Sequence, residues 1–506
     1  MQEHLRAFIV IIFLSSIGFA IAKKIVQKDV LAIDFNRWRN VWFAVTICAF
    51  LAHNFWLYLL LSSFFILLLT NRTRNKMALF FVLLFVIPPI GNTVSGLGLV
   101  NYLITLTHPR FIELIILLPA AVVVFRNNHF KFTKIWADKL LLIYILLLIA
   151  LELRDTTLTD ALRKSFYIFI DVFLPYYVAS RSIKDLAQMK TVLSAFVVSA
   201  IVFSLIAVFE SLKHWILYNA LGDALGIGDS MSNYLGRSGE IRAVATFSHP
   251  IVLGYFMTIA LGFYLFLSNT IQNITIKRIG FLLIILGLLA PLSRGPWVGA
   301  AVLVAVYVMQ GSMAIKKLSY LFLAAILSFS VLAALPGGQK FIDLIPFVGE
   351  SEKGNITYRE DLFKNSMLAI KKNPFFGSSN YLESPEMLEM KQGGGIIDIV
   401  NTYLRVTLEA GYVGLSLFIG IFVTVILGAR KSLKLIKDKK DPLRGLGRCL
   451  VAVLCSIMIT IATTSSIATV PIIYWSLLGI GVAYSQIVKQ DQSPLKQSNM
   501  LTKPER

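Results

Sequence analysis

Long, continuous apolar runs are the feature that most constrains how this chain can fold. A helix needs about 20 such residues to cross a bilayer core of about 30 Å. Only helices or closed barrels satisfy every backbone polar group in lipid. Barrel strands would alternate apolar and polar residues, whereas these runs are continuous, so the sequence predicts transmembrane helices. The runs cover residues 5–22, 54–70, 190–209, 250–267, 318–335 and 411–428.

The charge content agrees with a membrane protein. Only 15% of the residues are charged, against roughly a quarter in soluble domains. We interpret the net charge of +20 as Lys and Arg collected in cytoplasmic loops, and we expect no nucleic-acid partner. Cys48, Cys449 and Cys455 lie in apolar segments and form neither a disulfide framework nor a metal-ligand spacing. We therefore predict an all-α polytopic integral membrane protein, with residues 1–506 as a single membrane domain and no metal site.

The distribution of positive charge predicts the orientation. The short basic loop at 430–448 should be cytoplasmic, and the basic tail after residue 487 agrees with it. Counting back gives about 14 transmembrane helices and places 213–249, 292–295 and the large loop at 336–410 outside. The segment 41–70, broken at His53-Asn54, forms either one tilted helix or two short ones. With 14 helices both termini are cytoplasmic, the first helix being retained rather than cleaved as a signal peptide.

The extracytoplasmic loop is predicted to contain an amphipathic helix at 357–372. Thr357 and Glu360 have capping-box spacing, and Asn373-Pro374 ends the helix. The apolar stripe consists of Tyr358, Leu362, Phe363, Met367 and Ile370. The helix either lies on the membrane surface or caps a cavity between transmembrane helices. Gly393-Gly394-Gly395 forms a flexible stretch before Asp398.

Four separated segments resemble the O-antigen ligase/polymerase superfamily, the Wzy and WaaL type. They are RAVATFSHP (242–250), LSRGPW (292–297), YRE (358–360) followed by NPFFG (373–377), and NTYL (401–404) followed by EAGYVG (409–414). They are similar to the family's Arg, Gly-Thr-Phe and Asn-Pro elements, its Ser-Arg-Gly turn and its later motifs, in the same order. The resemblance covers about 240–430, and the N-terminal half offers only hydropathy. The topology places Arg242, Arg294 and Arg359 on the outer side, where this family's chemistry takes place.

The resemblance implies a substrate, a saccharide joined through pyrophosphate to undecaprenol, and no cofactor. Consistent with an already activated donor, the chain has neither a P-loop nor an Asp-x-Asp pair. Arg guanidinium groups match phosphate oxygens bidentately and can stabilise the leaving phosphate in a low-dielectric cavity in place of a metal. Arg242 and Arg359 match family positions for this catalytic role, with Arg237 and Arg294 as supporting substrate-binding residues. The alternative for these arginines is interfacial snorkelling or a salt bridge with Glu240 or Glu360.

The position of the catalytic base departs from the family pattern. In the ligases a His precedes the Asn that matches Asn401, and here that position is Val400. Candidate substitutes are Asp398, Glu409 and His249, with Glu409 taken as catalytic and His249 as substrate-binding. The alternatives are that Glu409 caps a helix and that His249 is structural. Tyr358, Asn401 and Tyr403, which lie in the matching motifs, are further substrate-binding candidates.

The absent His favours a polymerase, because polymerases of this superfamily commonly lack it. The predicted enzyme is a metal-independent, inverting glycosyltransferase in the bacterial inner membrane, with its active site facing the periplasm or cell exterior. Expected partners are the undecaprenyl pyrophosphate-linked oligosaccharide, membrane lipids and, as a candidate, a chain-length regulator. An O-antigen ligase or O-oligosaccharyltransferase is the alternative. A flippase for lipid-linked oligosaccharide is disfavoured, because transporters usually carry internal repeats and intramembrane charges.

Overall fold

Helices make up most of the protein in this computed structural model, which describes residues 2–70, 73–96, 98, 100–127, 135–228, 236–237, 240–311, 313–334, 353–392 and 395–492. The helices are α1 Glu3–Val26, α2 Ala32–Leu51, α3 Phe55–Thr70, α4 Lys76–Leu84, α5 His108–Arg126, α6 Trp136–Asp155, α7 (Leu158–Ile168 and Leu174–Ser182), α8 Leu186–Lys213, α9 Leu221–Ala224, α10 Pro250–Leu267, α11 Ile274–Leu289, α12 Arg294–Met309, α13 Ala314–Ala334, α14 Lys353–Lys372, α15 Pro385–Leu388, α16 Thr402–Leu435, α17 Pro442–Ile461 and α18 Val470–Asp491. Two antiparallel hairpins pair β1 Gly91–Ser95 with β2 Tyr102–Thr107 and β3 Gly236–Arg237 with β4 Glu240–Ile241.

Two of the helices contain π-turns. In α5 the turn is Glu113–Leu117, and in α7 the turn Phe169–Phe173 joins the two helical parts. A proline follows each π-turn, at Pro119 and Pro175. Because proline has no backbone N–H and its ring crowds the preceding helical turn, a local widening of the helix is expected at these positions.

Seven of the described helices are long and apolar enough to cross a membrane. They are α1, α5, α8, α10, α16, α17 and α18. This finding confirms the prediction of an all-α, multi-pass membrane protein. The predicted count of about 14 helices stays a prediction.

Three of these seven helices form the centre of the bundle. In α8, α10 and α18 the apolar stretch is 83%, 89% and 89% buried within the protein, against 33% in α1. Small residues allow close approach here, as at Gly262 of α10, where an added Cβ would lie 2.5 Å from the Val453 side chain of α17. Such small-residue contacts are typical of helix packing in lipid, where no hydrophobic driving force draws helices together.

Hydrogen bonds between loops define two ends of the bundle. We call the end with residues 240–249, 290–293, 398–401 and 462–469 the motif end. There Arg242 Nε donates to the Pro291 carbonyl over 3.1 Å, and Thr402 Oγ1 donates to the Thr464 carbonyl over 2.8 Å. The opposite, basic end holds residues 184–190, 268–274, 310–311, 313–317 and 436–441. There Asp29 pairs with Lys190 at 3.4 Å.

The N-terminal helices correct one part of the predicted topology. The segment 41–70 forms two helices, because His53 takes a left-handed φ of 51° and the Asn54 side chain accepts from the backbone N–H groups of Trp56 and Leu57. Because two helices cross the bundle here instead of one, the direction of α1 is reversed. Glu3, at the start of α1, lies at the motif end, where its Oε1 accepts from Trp215 Nε1. The C-terminal helix α18 leaves the bundle at the basic end, so Glu3 and Asp491 lie at opposite ends of the bundle, unlike the shared cytoplasmic side expected for the two termini.

The large loop contains an amphipathic helix, and this helix starts earlier than predicted. It begins at Lys353 rather than Thr357, so the predicted capping box falls inside the helix. Leu362 and Ile370 of the apolar stripe are buried against Tyr381, Met387, Met390, Ile399, Leu404 and Leu408, whereas Phe363 is 56% exposed. The helix therefore covers the start of α16. Residues 336–352 and the predicted flexible pair Gly393-Gly394 lie outside the described residues.

Candidate functional site

The first two sequence motifs meet at the motif end. Arg242 donates from Nε to the Pro291 carbonyl at 3.1 Å and from Nη2 to Ser293 Oγ at 2.9 Å. The Ala243 N–H donates to the Ala290 carbonyl at 3.3 Å. Arg294, the first residue of α12, follows Ser293 directly. The structure thus brings the predicted residues Arg242 and Arg294 to adjoining loops.

A buried glutamate within α8 holds the backbone of the first motif. Glu210 Oε2 accepts from the N–H groups of Val244 and Ala245 at 3.0 and 2.8 Å, and its Oε1 accepts from Leu217 at 3.0 Å. These bonds fix a chain in which Ala245 and Ser248 both take left-handed φ angles, 49° and 56°. Left-handed conformations at residues other than glycine are costly and often mark functional sites. Sequence reasoning missed Glu210, because its partners in the first motif, Val244 and Ala245, lie 34 and 35 residues away.

His249 is held as a neutral hydrogen-bond donor. It precedes α10, and its Nδ1 accepts from the Ile251 N–H at 3.2 Å, which leaves the proton on Nε2. Burial, with a smaller contribution from Arg242, lowers the pKa of His249 to about 4, and Asp398 acts in the opposite direction. At neutral pH this side chain can therefore donate to a substrate oxygen through Nε2, in keeping with the predicted binding role.

The loop before α16 joins the same cluster. Asp398 Oδ1 accepts from Ser465 Oγ at 2.6 Å. The Tyr358 hydroxyl donates to the Asp398 carbonyl at 3.1 Å and accepts from the Asp398 N–H at 3.2 Å. Tyr358 thus ties α14 to the site, and Arg359, exposed on the same helix, is the next residue along the chain. The first motif, through His249, and the third motif, through Tyr358, therefore meet near Asp398, three residues before the fourth motif.

The NPFFG and EAGYVG segments fit into each other. Gly411, with φ of 65°, interrupts α16, and an added Cβ there would lie 2.2 Å from Phe375 backbone atoms. The Tyr412 and Val413 N–H groups, freed by the interruption, donate to the Pro374 and Phe375 carbonyls at 2.8 and 3.2 Å. These two segments position the large loop on α16.

A cavity of about 790 Å³ lies beside the cluster and is lined by two Arg–carboxylate pairs. Arg405 Nε pairs with Glu409 at 2.8 Å, and Arg405 Nη1 donates to the Ser466 carbonyl at 2.7 Å. Arg110 pairs with Asp171 at 2.9 Å. Ser248 of the first motif and Ser466 also line the cavity, so it adjoins the His249–Asp398 region. Its volume and mixture of apolar and polar walls are typical of small-molecule sites.

The other predicted residues have different surroundings. Asn401 caps α16 by accepting from the Tyr403 and Leu404 N–H groups at 2.9 and 3.2 Å. The Tyr403 hydroxyl donates to the Met458 carbonyl at 2.7 Å and ties α16 to α17. For Arg237 only the backbone falls within the described residues, as part of β3. Glu409 sits within α16 beside the cavity and does not cap a helix.

Sequence reasoning missed the two cavity arginines for different reasons. Arg405 precedes Glu409 by four residues, a spacing that pairs side chains on one helix face, so this signal was available. Arg110 has its partner Asp171 in another helix, 61 residues away, and no local pattern indicates that contact. Among the described residues, no group of three or more His, Cys, Asp or Glu side chains could hold a metal ion.

The comparison with known families matches part of the chain. Residues 279–419 match Wzy_C, described as O-antigen ligase. This range contains the second and third motifs and all of the fourth, but not the Arg242 segment or α18. No curated protein matches the chain. The match supports the predicted ligase/polymerase superfamily, whose members are glycosyltransferase-like enzymes, and it does not favour polymerase over ligase.

Proposed function

We propose that this protein is a polysaccharide polymerase that transfers a glycan from undecaprenyl pyrophosphate to a lipid-linked repeat unit. The observation that carries the proposal is the meeting of Arg242, His249 and Asp398 at one end of a membrane bundle, beside a cavity of about 790 Å³. The second to fourth motifs of this end lie within the region that matches the O-antigen ligase family. In the predicted orientation this end faces the periplasm or cell exterior.

In this proposal the arginines stabilise the leaving group. Transfer breaks the bond between the anomeric carbon and the phosphate oxygen, and the electron pair leaves with the pyrophosphate. Arg242 is held rigidly by Pro291 and Ser293, so it needs little reorganisation to meet the developing charge. Arg294 and Arg359 would add further guanidinium groups from the neighbouring turn and from α14. Arg237 keeps its proposed supporting role.

The acceptor hydroxyl attacks from the cavity. Its oxygen forms the new bond to the anomeric carbon from the face opposite the phosphate, which inverts the configuration. Its proton passes to a carboxylate, for which we propose Glu409, because Glu409 lines the cavity and Arg405 orients it. His249 Nε2–H would donate to a substrate oxygen. The Tyr358 hydroxyl, whose proton is donated to the Asp398 carbonyl, would accept from a substrate hydroxyl. Asn401 and Tyr403 act by holding the N-terminal end of α16.

The choice of a polymerase over a ligase rests on Val400, which stands where the ligases carry a His before the Asn. A ligase of the same superfamily would share the fold and the arginines but transfer finished polymer to a different acceptor. Deletion of the gene followed by size analysis of lipid-linked and surface glycans separates the two. Single repeat units without long polymer are expected. Long polymer retained on the lipid carrier would establish a ligase, and substrate accumulated on the cytoplasmic face would indicate a flippase.

The arginine role has its own test. Arg359→Ala should abolish chain growth while the amount of protein in the membrane stays normal. Lys364→Gln is the matched control, because Lys364 lies on the same helix and its side chain is 71% exposed. Polymer of normal length in the Arg359 variant would remove the proposed role of this arginine.

A further inference from the structure

A second cavity lies at the basic end, away from the proposed active site. Its volume is about 690 Å³, which is within the range of small-molecule sites. It is formed where α3 ends at Thr70, α4 begins at Lys76, α5 ends at Arg126 and α8 begins at Leu186. None of the residues in the motif-end cluster lines it.

The lining of this second cavity carries positive charge only. Its basic side chains are Arg74, Lys76, Arg181 and Lys184, and the described lining residues include no Asp or Glu. Arg181 is buried and pairs with Asp138, which does not line the cavity. Arg74 and Lys184 are exposed, so they can turn towards a bound anion. The charge balance therefore selects an anionic ligand.

One wall of the cavity is apolar and extends deep into the bundle. It runs along α5 from Asn127 at its mouth to Ile116, a distance of about 16 Å at 1.5 Å per residue. Leu67 of α3 and Val123 of α5 belong to this wall and are 59% and 58% exposed, so the cavity opens to the lipid-facing side of the bundle. A ligand that fills both the basic mouth and the space along the apolar wall must have an anionic head and an apolar chain.

The mouth of the cavity also offers hydroxyl groups. Thr73 is 5% exposed, and its Oγ1 has no hydrogen-bond partner within the described part of the chain. Ser182 Oγ is likewise buried without a partner there. Both residues line the cavity. Buried hydroxyl groups are normally hydrogen-bonded, and phosphate oxygens of a ligand would provide acceptors for both.

We propose that this cavity binds an anionic glycerophospholipid, with its phosphate between Arg74 and Lys184 and one acyl chain along the α5 wall. Basic pockets between transmembrane helices at the cytoplasmic surface are suited to anionic lipid headgroups. A free phosphate would leave the apolar wall empty, and the cationic headgroup of a zwitterionic lipid would be repelled by Arg74, Lys76 and Lys184. The site is separate from glycan transfer and does not depend on the proposed function.

The test measures lipid binding to the purified full-length protein by native mass spectrometry. The probes are phosphatidylglycerol, phosphatidylcholine with the same acyl chains, and inorganic phosphate. Phosphatidylglycerol should bind, and the variant Arg74→Gln/Lys184→Gln should bind it about 25-fold more weakly. This is about fivefold per charge, because each Lys or Arg near a surface contributes about 1 kcal/mol to attraction of anionic lipid. The matched control Lys437→Gln/Lys439→Gln removes two exposed charges from the basic end, outside the cavity, and should bind normally.

A second variant tests the apolar wall without changing charge. Ala120 lines this wall, and Ala120→Phe should reduce phosphatidylglycerol binding by filling the space for the acyl chain. Equal binding of phosphatidylcholine and phosphatidylglycerol would overturn the proposal. So would binding of inorganic phosphate as tight as that of the lipid, or unchanged lipid binding in both cavity variants. If the double variant does not fold, the Ala120 variant alone decides.

Discussion

Glu409 and Asp398 are the two carboxylates that the sequence offers as the catalytic base, and their surroundings differ. Glu409 lines the cavity and is oriented by Arg405 at 2.8 Å. Asp398 has one oxygen occupied by Ser465 and does not line the cavity. A base must come within hydrogen-bond reach of the proton that it accepts. An acceptor sugar in the cavity can meet this condition at Glu409.

This difference predicts unequal effects of two isosteric substitutions. Glu409→Gln should slow chain growth about 100-fold or more, the usual contribution of a general base. Asp398→Asn should have a much smaller effect, because an amide oxygen can still accept from Ser465. Both rates are measured from polymer formed per unit of protein in membranes. The reverse order of effects would assign the base to Asp398.

The lowered pKa of His249 predicts that the stability of the protein depends on pH. Its pKa is about 4 in the folded protein, against 6.5 for an ordinary histidine. Between these values the unfolded chain binds a proton that the folded protein does not. The free energy of unfolding should therefore decrease as the pH falls from about 6.5 to about 4, by up to about 1.4 kcal/mol per pH unit from this residue.

His249→Asn isolates this contribution. Asparagine retains the N-cap function at the start of α10 but does not titrate. Thermal unfolding of the purified variant in detergent should depend less steeply on pH between 4 and 6.5 than unfolding of the parent protein. Identical pH profiles would show that His249 is not held neutral.

At the scale of elements, the interrupted helix α16 determines where the large loop sits. Gly411→Ala would force a Cβ to within 2.2 Å of Phe375 at a left-handed φ of 65°. We expect a loss of about 1–3 kcal/mol in stability and faster proteolysis within 373–400, because the loop loses its contact with α16.

Gly420→Ala is the matched control in the same helix. Its Cβ would meet only Leu140 Cδ1, at an ordinary 3.7 Å, and alanine favours a helix over glycine by about 1 kcal/mol. Gly420→Ala should therefore leave the melting temperature unchanged or raise it. Equal destabilisation by both substitutions would contradict the loop-docking role of Gly411.

In the whole molecule, the start of the first described helix, at Glu3, and the end of the last, at Asp491, lie at opposite ends of the bundle. In a variant without its native cysteines, Gln2→Cys and Asn380→Cys should react with a membrane-impermeant maleimide from the same side of the membrane, and Lys439→Cys only from the other. Glu3 contacts Trp215 at the motif end, and Asn380 Nδ2 donates to the Asp155 carbonyl there. Labelling of Gln2→Cys and Lys439→Cys from one side would contradict this arrangement.

The sequence predicted those features that depend on local pattern or composition. The apolar runs predicted a multi-pass helical protein, and the basic loops were assigned consistently to one end of the bundle. Both signals extend over whole segments and can therefore be read without knowledge of tertiary contacts. The pass added at His53-Asn54 was one of two open interpretations, since a left-handed residue gives only a weak signal. Contacts such as Glu210 with Ala245 or Arg110 with Asp171 join distant segments and could not be predicted. For the same reason the motifs indicated a site, whereas the adjoining cavity appeared only in the structure.

Reconstitution is the most direct test of glycan transfer at the motif end. The purified protein in liposomes would receive undecaprenyl pyrophosphate-linked repeat units, and the products would be separated by size. We expect a ladder of polymer lengths from the parent protein and none from Arg242→Lys, since a lysine cannot reproduce the guanidinium bonds to Pro291 and Ser293. A ladder of normal yield from Arg242→Lys, or no glycan transfer by the parent protein, would rule out the proposed transfer site.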